Sequence, residues 1–439
     1  MLPFHRFLGT QRRRSRQFSF RSDGDNRRRR LELVGLWGVP IGLTLLSGVL
    51  IASTQRGTDT VKWYYHWATG VIGLETALLI ARSKLIEWVK DWLDLLYFLT
   101  IASLLAVRFV GTSALGAQRW INIAGLHVQP SEFAKVAVIL FLADVLANNP
   151  PTTFRGFGLS LATIAMPWFL VFIQPDLGTS LVFGFILLTM LFWSGMRLSL
   201  IILLISPLVS GILGVVFPLG LAGWIPITSL LIRRPLILVR SPLSLIRIGP
   251  AVVGFMQVVS AIIAPYLWVY GLKEYQRDRL ILFLDPGKDP LGGGYHLLQS
   301  QITIGAGEIF GRGLMQGEMT KLQFIPEQHT DFIFSVLGEE TGFLGCVLIV
   351  SSFVLLIWRL IQIAGNAKNS FESLVVIGIA AMVMFQVFVN ISMTIGLGPI
   401  TGIPLPWMSY GRSAIIANFL SLGLCASIAR RGGQRSIGL

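Results

Sequence analysis

The sequence predicts an all-α polytopic membrane protein, and three observations carry that prediction. Hydrophobic residues make up 53% of the 439 residues and charged residues only 13%, with a mean hydropathy of +0.69, outside the balance of a soluble globular chain. Apolar segments long enough to cross a bilayer, which takes about 20 residues, recur along the chain. Basic residues collect in alternate connections between those segments, the pattern of the positive-inside rule.

Twelve segments are expected to span, near residues 33–53, 66–82, 92–110, 131–148, 155–174, 177–194, 198–217, 220–238, 250–271, 332–358, 372–396 and 413–429. The first thirty residues hold ten Arg and two Asp, contributing +8 of the net +14. Concentrated in one tail, this charge reads as a cytoplasmic anchor on anionic membrane lipid and argues against nucleic acid. No apolar core precedes Leu31, so residues 1–30 are expected to form a basic cytoplasmic tail and not a cleaved signal peptide. Alternation from there puts Arg82, Lys84, Arg155, Arg197, the cluster Arg233, Arg234, Arg240 and Arg247, then Arg359 and Lys368, inside. The C-terminal tail, 431–439, falls inside as well.

Loops 111–130 and 272–331 fall outside, although the first carries Arg119 and the second several Lys and Arg. Long loops translocate regardless of charge. Segment 218–249 is ambiguous, apolar first and then rich in Arg and Pro; crossing at 220–238 puts its arginines inside. Cys346 and Cys425 lie alone in apolar runs, which supports neither a disulfide framework nor a thiolate metal site. No internal repeat is visible, which weakens a transporter built on duplicated halves.

Candidate chemistry centres on KLQFIPEQHTDFIF, beginning at Lys321, where a loop carrying Glu327, His329 and Asp331 runs into an apolar helix. Asp331 has two readings there: a helix cap accepting free backbone N–H groups, or a functional acid at the mouth of a membrane helix. In PSEFAK, Glu132 and Lys135 are three residues apart, on one helix face and close enough to pair. Ser131 and Lys135 stand as S-x-x-x-K, not S-x-x-K, which excludes the acyl-transfer nucleophile of that motif. The loop before them, GTSALGAQRWINIAGLHVQ, is amphipathic and carries Arg119 and Trp120. Asp176, in QPDLGTS, sits in a turn too short to leave the interface. LLQSQITIG reads as an amphipathic helix along the membrane surface, and the glycines around it lack the strand and helix context of a phosphate cradle. The segment GPITGIPLPWMSYGRSA adds Ser409 and Tyr410. Each feature has a structural reading, but all fall on the outer side, which points to one outward-facing cavity.

These residues also carry a family resemblance. QPSEFAK, QPDLGTS, YQRDR with FLDP, DPLGGGYHLLQSQITIGAG, FIPEQHTDFIFSVLGEE with TGFLG, and GIPLPWMSYG resemble, in order, the SEDS family (shape, elongation, division and sporulation) across most of residues 31–430. His296 in GYHLLQS is more similar to the rod-shape branch, RodA, than to the division branch, FtsW, which usually has Gln there. The resemblance implies a SEDS-type bundle of ten helices, so 198–249 is expected to hold an inserted hairpin and 272–331 the large extracytoplasmic loop. It implies a peptidoglycan glycosyltransferase that polymerises lipid II on the outer face of the bacterial cytoplasmic membrane, with a class B penicillin-binding protein as partner and no nucleic acid. Asp331 matches the essential acid of the family's HTDF motif; Lys135, Glu132 and Asp176 match polar positions of its cavity, and Trp120 the tryptophan of the adjoining loop. Three positions depart. Gln323 stands where many relatives are acidic, and Glu308 and Arg412 replace glycines.

Lipid II carries its own leaving group, a lipid pyrophosphate, so one base with positive charge nearby can suffice where glycoside hydrolysis normally needs two carboxylates. Asp331 is expected to be that base, with Lys135, Arg119 or a divalent cation such as Mg or Mn offsetting the pyrophosphate charge. Two rivals remain at this stage: a lipid II flippase, which requires ionisable groups through the depth of the bundle, and a non-catalytic scaffold that activates the transpeptidase.

Overall fold

The computed structural model describes residues 18–55, 62–114, 117–123, 126–174, 176–228, 244–270, 277, 281–282, 289 and 294–432. The helices are α1 (Phe18–Thr54), α2 (Trp63–Arg82), α3 (Leu85–Asp91), α4 (Leu93–Val110), α5 (Pro130–Asn148), α6 (Phe154–Ile173), α7 (Leu177–Trp193) and α8 (Leu198–Val216). They continue as α9 (Ser244–Tyr270), α10 (Tyr295–Ala306), α11 (Glu318–Lys321), α12 (Ile333–Gly365), α13 (Ser370–Thr394) and α14 (Arg412–Gly432). Eleven of the twelve expected spans are helical. The twelfth, 220–238, is helical over 221–228, and its remainder, with the expected arginine cluster, lies mostly outside the described residues.

Among the described residues eight helices are long and apolar enough to cross a membrane by length and composition. Helix α7 is shorter, at 17 residues. Helices α2 and α5 match a span in length but carry His66 and Glu75, or Glu132, Lys135 and Asp144. α1 begins at Phe18, inside the stretch read as tail.

The centre of the bundle is α13, which packs on α5, α7 and α12; α2 lies along α14, and α8 pairs with α9. The exposed residues of this last helix, Phe255, Ile262 and Tyr266 among them, form an apolar outer face of that helix pair. In the loop before α5 an antiparallel three-stranded sheet forms, β1 (Thr112–Ala114), β2 (Ala117–Ile123) and β3 (Leu126–Val128), in the order β1-β2-β3. The sequence predicts only an amphipathic loop there. The alternation in QRWINI is the strand signal.

α12 breaks at Gly342, whose φ of 65° no branched residue adopts without strain. The 307–313 loop fills the break: Phe343 N donates to Glu308 O at 2.9 Å, and Arg312 N to Glu339 O at 2.9 Å. The buried carboxylates just before the break are satisfied by the 315–320 backbone that follows this loop and by α1. Glu339 accepts from Met319 N (2.8 Å) and Thr320 N (2.9 Å), and Glu340 from Met315 N (2.9 Å) and the Ser53 hydroxyl. Glu308 has φ 50°, a left-handed conformation that a glycine takes without cost, which accounts for the glycine expected there.

Candidate active site

Several loop-to-helix junctions meet at one end of the bundle. Gln129 N, at the start of α5, donates to Ser413 Oγ in the first turn of α14 at 3.0 Å. Gly178, in the first turn of α7, packs so tightly on the 401–403 segment that a Cβ would lie 2.7 Å from Ile403 Cγ1 and 2.9 Å from Thr401 O. A Cβ on Gly402 would stand 3.5 Å from Asp331 Oδ2. Tyr410 N donates to His329 O at 2.9 Å, and the Tyr410 ring stacks on His66 of α2 with centroids 6.3 Å apart. The expected site residues are therefore drawn to one end from widely separated parts of the chain.

Asp331 is half-buried at the close of a turn in which its N–H donates to Glu327 O at 3.2 Å. The cap position of α12 falls to Phe332, so Asp331 lies one residue before it. Its main chain is pinned from α13: the Asn390 amide donates to Asp331 O at 3.0 Å and to Ile403 O at 2.8 Å. Asn390 thus ties the turn that carries the acid to the segment facing it. The Asn390, Gly402 and His296 contributions were not foreseen. A lone amide in the apolar run VFVNIS was the available signal for the first, because an amide in an apolar helix needs a partner.

Glu132 and Lys135 form a two-pronged ion pair, Nζ 2.8 Å from Oε1 and 2.9 Å from Oε2, at 2% and 1% exposure. The expected pairing is present, and it occupies the Lys135 charge within its own helix. Asp176 proves to be the cap of α7, accepting from Thr179 N at 3.1 Å and from the Thr179 hydroxyl at 3.0 Å. Arg119 of β2 lies 3.8 Å from Asp176 Oδ1, with its side chain 16% exposed. Next to Arg119, Trp120 is held by strand pairing with Thr112. Ser409 Oγ accepts from Leu405 N at 2.7 Å, which closes the turn before Tyr410.

Glu327, at φ 55°, brings its carboxylate 3.8 Å from His329 Nε2. Burial pushes the His329 imidazole below its ordinary value of 6.5, against the Glu327 charge that pulls it up. His296 on α10 stacks on Phe332, centroids 6.2 Å apart, and its Nδ1 is buried without a partner. Burial lowers its pKa too, again opposed by Glu327. Both rings therefore favour the neutral form that can accept as well as donate. α10 does not lie free on a surface: Ser300 donates to Thr394 O at 2.7 Å and meets Ser335 Oγ at 2.6 Å, tying it to α13 and α12. Among the described residues no three His, Cys, Asp or Glu side chains converge to hold a metal ion. No step below uses a divalent cation.

Ionisable groups cluster at the two ends of α5. Between Lys135 and Asp144 the run VAVILFLA is wholly apolar, and Asp144 pairs with Lys90 of α3 at 3.8 Å at the far end.

The profile of the family described as cell cycle protein FTSW_RODA_SPOVE matches residues 31–225 and 226–433. Among curated relatives, the peptidoglycan glycosyltransferase MrdB of Escherichia coli (strain K12) is 35% identical over 361 residues, covering 82% of this chain and 84% of that protein. The peptidoglycan glycosyltransferase RodA of Treponema pallidum (strain Nichols) is 35% identical over 363 residues, covering 78% and 84%. Among solved structures, one described as "structural coordination of polymerization and crosslinking by a peptidoglycan synthase complex" matches with TM-score 0.68 at 27% identity, covering 91% of this chain and 98% of that one. The rod shape determining protein RodA of Thermus thermophilus shares the fold, with TM-score 0.58 at 24% identity and coverage of 90% and 96%.

Proposed function

The chain belongs to the FtsW/RodA/SpoVE family of cell cycle proteins, a multi-pass membrane family, and on that premise we propose that it is a peptidoglycan glycosyltransferase of the rod-shape type that polymerises lipid II. The observation that carries the site assignment is the junction at which Asn390 clamps the Asp331 turn to the 401–403 segment. Asp331 accepts the proton of the acceptor sugar's 4-hydroxyl as that oxygen attacks the anomeric carbon. The departing lipid pyrophosphate needs no proton, only compensating positive charge. Arg119, partly exposed beside Asp176, is the cation better placed to supply it. Lys135 is already engaged by Glu132, so the pair positions the start of α5 and the loop it carries. Glu327, His329, Ser409 and Tyr410 shape the acceptor side of the same cavity.

The site end faces outward and the basic end inward, with both tails cytoplasmic, an orientation supported by the distribution of Lys and Arg. A class B penicillin-binding protein is the proposed partner, in keeping with the synthase complex among the structural relatives. The flippase alternative is less well supported, because the eight residues between Lys135 and Asp144 provide no polar path along α5. The test is purified protein with lipid II, with and without a partner transpeptidase, scored for glycan chains. Polymer from the wild type that disappears in Asp331→Asn supports the reading, and transbilayer movement of lipid II without polymer refutes it.

A further inference from the structure

At the opposite end of the bundle the helix ends line a half-open cavity of about 480 Å³ whose lining is strongly basic. Arg82 and Lys84 reach it from the end of α2 and the turn after it, Lys368 from the α12–α13 connection, and Arg430 and Arg431 from the end of α14. Only one lining residue, Glu87, is acidic. Part of the charge serves the fold: Arg430 Nη1 donates to Ala81 O at 3.1 Å, and Arg431 Nη1 pairs with Glu87 Oε1 at 2.9 Å and lies 3.8 Å from Glu372. Arg431 Nη2 is buried with no partner, and the exposed Arg82 and Lys84 line the opening.

Helix C-termini concentrate carbonyls, so cations there are ordinary. A half-open cavity lined by five basic side chains and one carboxylate, with Glu372 against Arg431 behind it, is a different object, because it gathers positive charge around space that an anion can enter. α14 starts at the candidate site and ends here after 21 residues, about 30 Å at the helical rise, roughly the thickness of the hydrocarbon core. The cavity therefore sits at headgroup depth of the second leaflet. We infer that this cavity binds a phosphate-bearing anion, of the class presented by anionic phospholipid headgroups, between the ends of α2 and α14. Arg431 Nη2 donates to a phosphoryl oxygen, and Arg82 and Lys84 hold the charge at the mouth. The inference concerns binding alone and stands or falls independently of the glycosyl transfer proposed for the other end.

The experiment is native mass spectrometry of the full-length chain in detergent, titrated with phosphatidylglycerol and, in parallel, with zwitterionic phosphatidylethanolamine. Phosphatidylglycerol is expected to be retained preferentially, and the Arg82→Gln/Lys84→Gln double variant, which changes two exposed side chains, to weaken that retention about tenfold. The control double variant Arg155→Gln/Arg197→Gln, outside the cavity, should stay within twofold of wild type, since the basic tail is common to all three proteins. Added inorganic pyrophosphate separates the sources. Displacement of the lipid by pyrophosphate assigns the site to the phosphoryl group itself, and lipid that resists displacement yet depends on Arg82 and Lys84 assigns it to the headgroup with its chains. Equal retention of the two lipids by wild type, or an equal loss in the control variant, overturns the inference.

Discussion

Replacing Asn390 by Ala tests the link between bundle and site most sharply. The residue is fully buried, and its amide serves two main-chain oxygens, Asp331 O at 3.0 Å and Ile403 O at 2.8 Å. Alanine leaves both carbonyls without that donor, and each unsatisfied buried polar group costs about 1–3 kcal/mol. The upper limit is then ~2–6 kcal/mol. The Asp331 turn and the 401–403 segment would also separate, and a displacement on the order of 1 Å at a catalytic group costs roughly a hundredfold in rate. Asn390→Ala should therefore insert normally, melt several degrees lower and polymerise lipid II at about 1% of the wild-type rate. The assay is glycan-chain synthesis by purified protein at saturating lipid II, alongside a thermal melt. A variant with a lowered melting temperature but an unchanged rate would show that the clamp stabilises the bundle without positioning Asp331, and would refute the reasoning.

Three further outcomes follow from the same geometry. Gly402 has φ 72° and stands against Asp331 Oδ2, so Gly402→Ala should cost about 1–2 kcal/mol of backbone strain and lower the polymerisation rate more than it lowers membrane yield, both measured on the same preparation. Lys135→Met strands Glu132 in the core and should destabilise by about 3–5 kcal/mol, whereas the swapped Glu132→Lys/Lys135→Glu protein should recover most of the melting temperature and at least a tenth of the activity; a stable but inactive swap would mean that the pair contacts substrate. Burial depresses the His329 and His296 imidazoles relative to an unfolded value of 6.5, so the unfolded chain binds the extra protons, and their contribution to stability is intact above about pH 6.5 and lost as pH falls below it. His329→Gln should flatten the decline in melting temperature between pH 6.5 and 5, and an unchanged slope would count against a buried neutral ring.

Much of the fold was legible because its signals are local. Apolar length located eleven of the helices, and the three-residue spacing of Glu132 and Lys135 foretold their contact. What escaped depends on tertiary partners. Asp176 was read as a turn residue because its capping bond to Thr179 depends on where α7 starts, and helix starts are poorly fixed by pattern alone. Asn390 carried a composition cue, but nothing local says that its amide reaches Asp331 and Ile403, 59 and 13 residues away. β2 was missed because seven residues of alternation inside a Gly-rich connection are a weak signal beside membrane-length runs. Glu339 and Glu340 were not singled out, since the partners that satisfy them, the 315–320 backbone and Ser53, come from other parts of the chain.

If the Asp331 carboxylate is the base in glycan polymerisation, the Asp331→Asn protein, assayed with lipid II and a candidate partner transpeptidase, should reveal it. Asparagine keeps the size and the main-chain bonds to Glu327 and Asn390 but lacks a carboxylate to take the proton. The variant should insert, melt near the wild-type temperature and retain the transpeptidase, with polymer formation reduced at least a hundredfold, at the low end of what a general base contributes. Glycan chains made at the wild-type rate by that well-folded variant would contradict that role.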